Sequence, residues 1–96
     1  MTSKIKQQNL IMEHRTITDS IAVEANSAPD AVANVSKSGY KPVALAGISK
    51  GGAGSGLIAI GGYYFSADEN LYIQLYNPST TARTISVSAD ILYQPL

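Results

Sequence analysis

The chain has 96 residues, with seven basic and seven acidic side chains that cancel, which is enough for one domain burying roughly 60–65% of its unfolded surface. With no net charge and no basic stripe, nothing in it collects phosphates, so nucleic acid is not an expected partner. With no cysteine and one histidine, a disulfide framework is excluded and a metal site would have to rest on carboxylates.

Charged residues form 15% of the chain, against about 25% in an average soluble domain. Ser, Thr, Asn, Gln and Tyr take their place, which suits an extracellular or subunit-buried surface and points to an oligomer. No apolar run approaches the ~20 residues of a membrane span, and the N-terminus is polar instead of basic then apolar. Neither membrane insertion nor a signal peptide is therefore expected.

In chain order, residues 1–15 read as a polar N-terminal arm and residues 16–96 as a single domain. Ile17, Ile21 and Val23 place a strand over Thr16–Glu24, although Leu10–Ile17 also admits a helical reading. Ala25–Asp30 is a turn cluster, Ala31–Val35 a brief strand, and Ser36–Gly39 a second turn. Tyr40–Ile48 carries apolar residues on both faces, with Pro42 near its start where a missing N–H is tolerated. Ser49–Gly56 reads as a mobile glycine tip. Leu57–Phe65 is again apolar on both faces, with Gly61 and Gly62 marking a bulge or a close backbone approach.

After the polar turn Ser66–Asn70 come the two clearest strands. Leu71, Ile73 and Leu75 alternate with Tyr72, Gln74 and Tyr76, and Ile85, Val87, Ala89, Ile91 and Tyr93 alternate with Ser86, Ser88, Asp90 and Leu92. Pro78 and the Asn and Ser residues of Asn77–Ala82 reverse the chain between them, which predicts an antiparallel hairpin. Six or seven short strands and no amphipathic helix predict an all-β fold, an antiparallel β-sandwich or jelly-roll-like domain.

The motifs that would carry chemistry fail on context. Gly54-Ser55-Gly56-Leu57-Ile58-Ala59 matches the G-x-G-x-x-A form of the dinucleotide fingerprint, but Gly61-Gly62 and Tyr63-Tyr64-Phe65 disfavour the helix whose N-terminus would hold the pyrophosphate. Lys50 precedes its glycines, so Lys50-Gly51-Gly52 is not a P-loop. His14 would need tertiary contacts to serve a Ser-His-Asp device. Asp19, Glu24, Asp30, Asp68, Glu69 and Asp90 are scattered as in solvated loops, and a glycosidase would need a second carboxylate within ~5–10 Å of such a residue. No catalytic, cofactor or metal residue is assigned. Four tyrosines, Tyr63, Tyr64, Tyr72 and Tyr76, cluster on two neighbouring strands. Such rings with polar tips make platforms for sugars or protein partners, and serve equally as core or interface residues.

The run Ser38–Gly47 (SGYKPVALAG), the glycine segment, Leu75–Ala82 (LYNPSTTA) and Ser86–Tyr93 (SVSADILY) resemble a pattern found in small phage and prophage fibre, tail or baseplate proteins of Gram-positive gut bacteria. The resemblance covers Ser20–Tyr93, and its motifs are strands and turns, so it carries over no site residue. It implies a non-enzymatic structural or host-surface glycan-binding module of the virion, made in the bacterial cytoplasm and assembled with other virion proteins. A decoration or connector subunit without a receptor is the alternative, and a small polysaccharide hydrolase is a third. The two strands apolar on both sides leave one face over in a two-layer sandwich. Together with the threefold habit of fibre modules, that face predicts a homotrimer.

Overall fold

In the computed structural model, which describes residues 9–96, the chain folds into six strands: β1 (Ile11–Val23), β2 (Asp30–Asn34), β3 (Tyr40–Gly51), β4 (Ala59–Phe65), β5 (Asn70–Tyr76) and β6 (Arg83–Pro95). They form two three-stranded antiparallel sheets, ordered β1-β6-β3 and β2-β5-β4, packed on one another as the expected sandwich. Among the described residues there is no α-helix, and no helix is long and apolar enough to cross a membrane.

The two strands with the purest alternation are the central strand of each sheet. Leu71, Ile73 and Leu75 of β5 face Ile85, Val87, Ala89, Ile91 and Tyr93 of β6 across the core, all of them buried. A central strand has a neighbour on each side and its inner face on the core, so every second side chain is enclosed and the period of two is undisturbed. Ile17 and Val23 of β1, Ala31 of β2, Val35 and Ile58 complete the core.

Strands β5 and β6 do not form the predicted hairpin. They lie in different sheets, and Asn77–Ala82 carries the chain from one sheet to the other. The device that holds this crossing is Asn77, which is fully buried. Its side-chain amide donates to the carbonyls of Val23 at 3.0 Å and Thr81 at 2.9 Å, and its Oδ1 accepts from the Ser79 N–H at 2.9 Å and the Ser79 hydroxyl at 2.7 Å. Its backbone is held by Ser27 and Asn26 in the turn that follows β1. A buried amide with all its groups partnered fixes one conformation, and here it ties the β5–β6 crossing to the end of β1. The hairpin of the fold is β4–β5 instead, turned by Ser66–Glu69 with Glu69 at φ 63° and closed by the Ser66 N–H donating to the Asn70 carbonyl at 2.9 Å.

Three further expectations are corrected. Residues 11–15 of the arm predicted over residues 1–15 belong to β1, which begins at Ile11 and pairs with β6 from Ile11 opposite Tyr93 onward; this also removes the helical reading of Leu10–Ile17. Residues 1–8 of that arm lie outside the described residues. The glycine segment is a closed turn and not an open tip. Ser49–Gly51 end β3, Ser55–Leu57 form one 3-10 turn, and the Lys50 ammonium donates to the Ile58 carbonyl. The apolar character of both faces of Tyr40–Ile48 and Leu57–Phe65 comes largely from bulges. Register shifts between Pro42 and Ala44, between Leu45 and Gly47, and between Ile60 and Gly62 each insert one residue into the edge strand. The inserted residue switches the phase of the alternation. Tyr40, Leu45, Ile48, Ile60 and Phe65 therefore all pack against the core, and less apolar surface is left over than the even alternation implied.

Candidate functional site

The outer face of the β2-β5-β4 sheet carries a hollow of about 350 Å³ lined by Asp30, Gly61, Gly62, Tyr63, Tyr64, Tyr72 and Gln74, at the small end of the ~300–1,000 Å³ range of ligand sites. Its geometry follows from strand register. On β5 the residues that alternate with the buried Leu71, Ile73 and Leu75 point outward, namely Tyr72, Gln74 and Tyr76. Gln74 is flanked by Asp30 on one side and Gly62 on the other; in the next row Tyr72 is flanked by Val32 and Tyr64. One row is thus tall and aromatic, and the adjacent row ends on a residue without a side chain.

The aromatic wall is a stacked pair, Tyr64 on Tyr72, with centroids 4.7 Å apart and planes within 2° of parallel. Cross-strand pairing places the two residues opposite one another, and mutual stacking limits their rotamers. The floor depends on the bulge at Gly61–Gly62. A β-carbon at Gly61 would lie 2.5 Å from Gln74 Oε1, so the amide of Gln74 lies over that position, and Gly62 sits at φ 138°, where residues with side chains are strained. Among the described residues Asp30 supplies the one acidic group that lines the hollow, and no basic residue lines it.

Of the four tyrosines singled out by sequence, three meet at the hollow. Tyr64 is 56% exposed and forms the wall with Tyr72. Tyr63 also borders it, but its hydroxyl accepts a hydrogen bond from the Leu45 N–H at 3.1 Å and its ring meets Phe65 edge-on at 5.9 Å, so it closes the seam between the β3 and β4 edges. Tyr76 lies on the same outer face, opposite Ala59, and does not line the hollow. Asp30 and Gln74 were not singled out by sequence. Their role depends on the β2–β5 register, which no local pattern encodes; the Gly61-Gly62 bulge was the one signal near them.

Two other polar clusters stand apart from the hollow. On the outer face of the β1-β6-β3 sheet, His14 Nδ1 is 2.7 Å from Asp90 Oδ1, a cross-strand pair open to solvent, and among the described residues no serine hydroxyl is bonded to the imidazole. At the end of the sandwich where β1 begins, Arg15 donates through Nε and Nη2 to Glu13 Oε1 at 3.0 and 2.9 Å, and Lys37 lies 3.6 Å from Glu13 Oε2. The Arg15 guanidinium holds the Glu13 carboxyl below its ordinary range. Among the described residues no group of three or more His, Asp and Glu is placed to hold a metal ion. The G-x-G-x-x-A segment runs through a single 3-10 turn into β4 and opens no helix.

Compared with models of protein families, with curated proteins and with solved structures, the chain matches none.

Proposed function

We propose that this chain is a non-enzymatic phage structural module, of the fibre, tail-tip or head-fibre kind, that binds a host-surface glycan in the hollow on the β2-β5-β4 sheet. The observation that carries the reading is the stacked Tyr64–Tyr72 pair standing beside Gln74 and Asp30 over a floor of two glycines. A sugar presents an apolar C–H face and a rim of hydroxyls. An aromatic wall takes the first, and a carboxylate with an amide, offering acceptors and donors side by side, takes the second. The pairing of such a wall with convergent polar groups distinguishes a ligand site from a random exposed ring.

The absence of turnover in this reading is supported by the lining of the hollow, where among the described residues Asp30 stands without the second carboxylate that glycoside hydrolysis ordinarily uses. The fibre assignment is supported by shape. The Cα trace extends 59 × 21 × 20 Å with a radius of gyration of 15.7 Å, against about 13 Å for a compact chain of roughly 100 residues.

Immobilised glycans test the reading directly. Reproducible binding by the wild type that is lost in Tyr64→Ala is the expected result, because Tyr64 is largely exposed and its removal leaves the core intact. A blank array with tight attachment to virions would favour a decoration or connector subunit. A fall in polysaccharide viscosity on incubation with the pure protein would favour a hydrolase.

Self-association into a homotrimer is part of the proposal. It rests on large apolar side chains left exposed on the single chain in or beside the β1-β6-β3 sheet, away from the hollow, Leu10 at 47%, Met12 at 62% and Val43 at 38% among them, on the low charge of the surface, and on the resemblance to threefold fibre modules. Light scattering coupled to size exclusion should give a species near three times the 10.1 kDa chain mass. A monomer that persists at high concentration would remove the trimer from the account.

A further inference from the structure

From the charge that lines the hollow we infer the class of sugar it accepts: an uncharged or amine-bearing pyranose, with sugars carrying a carboxylate or phosphate rejected. The inference rests on the glycan reading above and adds selectivity to it.

Asp30 opens β2 directly opposite Gln74, which places its carboxyl group at the rim of the hollow, one row from the Tyr64–Tyr72 wall. A ligand lying along that wall over Gly62 must bring its substituents against Asp30 and Gln74, since these are the polar side chains of the adjacent row. A carboxylate has acceptors only, so it takes hydrogen bonds from hydroxyl or ammonium donors. The neighbouring amide of Gln74 both donates and accepts, and so answers a hydroxyl in either sense. Among the described residues an anionic ligand has no partner of opposite sign there, because none of the Lys and Arg residues among them lines the hollow. Its charge would instead stand within a few ångströms of Asp30, where like charges repel even through a water-like dielectric. The same arrangement favours a protonated amino sugar, whose ammonium is a donor of the right sign.

The hollow thereby discriminates by an unmatched charge as well as by attraction, which is how specificity against a close analogue is commonly achieved. Matched pairs of ligand that differ only at C6, hydroxymethyl against carboxylate, isolate this contribution because the aromatic contact is the same in both.

The experiment uses the full chain and immobilised oligosaccharides of glucose, galactose and glucosamine alongside their uronic acid counterparts, with wild type and Asp30→Asn compared at one ionic strength. The expected result is binding confined to the neutral and amine-bearing members, at least about tenfold over the matched uronic acids, with the ratio falling toward one in Asp30→Asn. Asn keeps the shape and removes the charge, and position 30 is exposed, so the variant folds as the wild type does. Equal or better binding of the uronic acids, or a ratio unchanged in Asp30→Asn, would overturn the selectivity while leaving the glycan reading in place. Binding to neither series would overturn both.

Discussion

Asn77→Ala should lower the free energy of unfolding by roughly 2–4 kcal/mol, one of the two largest effects expected for a single substitution in this chain. The side chain is 0% exposed and bridges the Val23 and Thr81 carbonyls through one nitrogen, while Oδ1 receives both donors of Ser79. Removing it leaves the Val23 carbonyl without that donor in a buried place, and each buried polar group so stranded costs about 1–3 kcal/mol. The Ser79 hydroxyl, released from Oδ1 in the variant and 3.0 Å from the Thr81 carbonyl, can donate to that carbonyl instead, which limits the total. Urea unfolding should show a lower midpoint at an unchanged slope, the signature of lost stability without altered compactness. A midpoint within error of wild type would mean that the crossing between sheets is held by something other than this amide.

The second large effect lies at the opposite end of β6. Tyr93 is fully buried, meets Tyr40 edge-on at 6.5 Å, lies beneath the Arg15 guanidinium at 5.8 Å, and donates its hydroxyl to the Val35 carbonyl at 2.6 Å. Tyr93→Ala should cost about 3–5 kcal/mol, the range for deleting a buried aromatic ring, against a total of about 5–15 kcal/mol for a domain of ordinary stability. Tyr93→Phe isolates the hydroxyl and should cost about 1–2 kcal/mol through the unpartnered Val35 carbonyl. The pH dependence gives an independent check. Burial pushes the Tyr93 phenol above its ordinary value, with the nearby Arg15 pulling partly the other way. A raised value in the folded state means that the neutral form is favoured there, so the contribution is complete below about pH 10, where the unfolded tyrosine titrates, and is lost as pH rises from there through the folded value. Denaturation midpoints should accordingly fall more steeply above pH 10 in the wild type than in Tyr93→Phe. Parallel curves would contradict the burial of the hydroxyl.

What the sequence discloses about the fold is decided by where each strand sits. Strands β5 and β6 were legible because both are central strands, straight and enclosed, and their alternation runs without a slip from Leu71 to Tyr76 and from Ile85 to Tyr93. Strands β1, β3 and β4 were less clear because they lie at edges and carry the register shifts, so that Leu45 and Ile48, an odd number of residues apart, both pack on the core. The predicted pairing of β5 with β6 fails for a different reason. Alternation states which side chains face the core, but two strands that face it from opposite sides read the same as two that lie side by side. Only the buried Asn77, which fastens Asn77–Ala82 to the end of β1, separates the two arrangements, and an Asn before a Pro reads locally as an ordinary turn. The aromatic part of the site was legible as a cluster on neighbouring strands. Its polar part was not, because Asp30 reaches Gln74 through a pairing between segments 44 residues apart.

The proposed glycan site is tested most directly by titrating isotopically labelled protein with a sugar that the array identifies and following the backbone amides by NMR. Shifts concentrated at Gly61, Gly62, Tyr64, Tyr72 and Gln74 are expected, with the Gln74 side-chain amide moving alongside them, and little change on the opposite sheet. Shifts gathered instead around His14 and Asp90 on the outer face of the β1-β6-β3 sheet, or none at a saturating concentration of sugar, would contradict it.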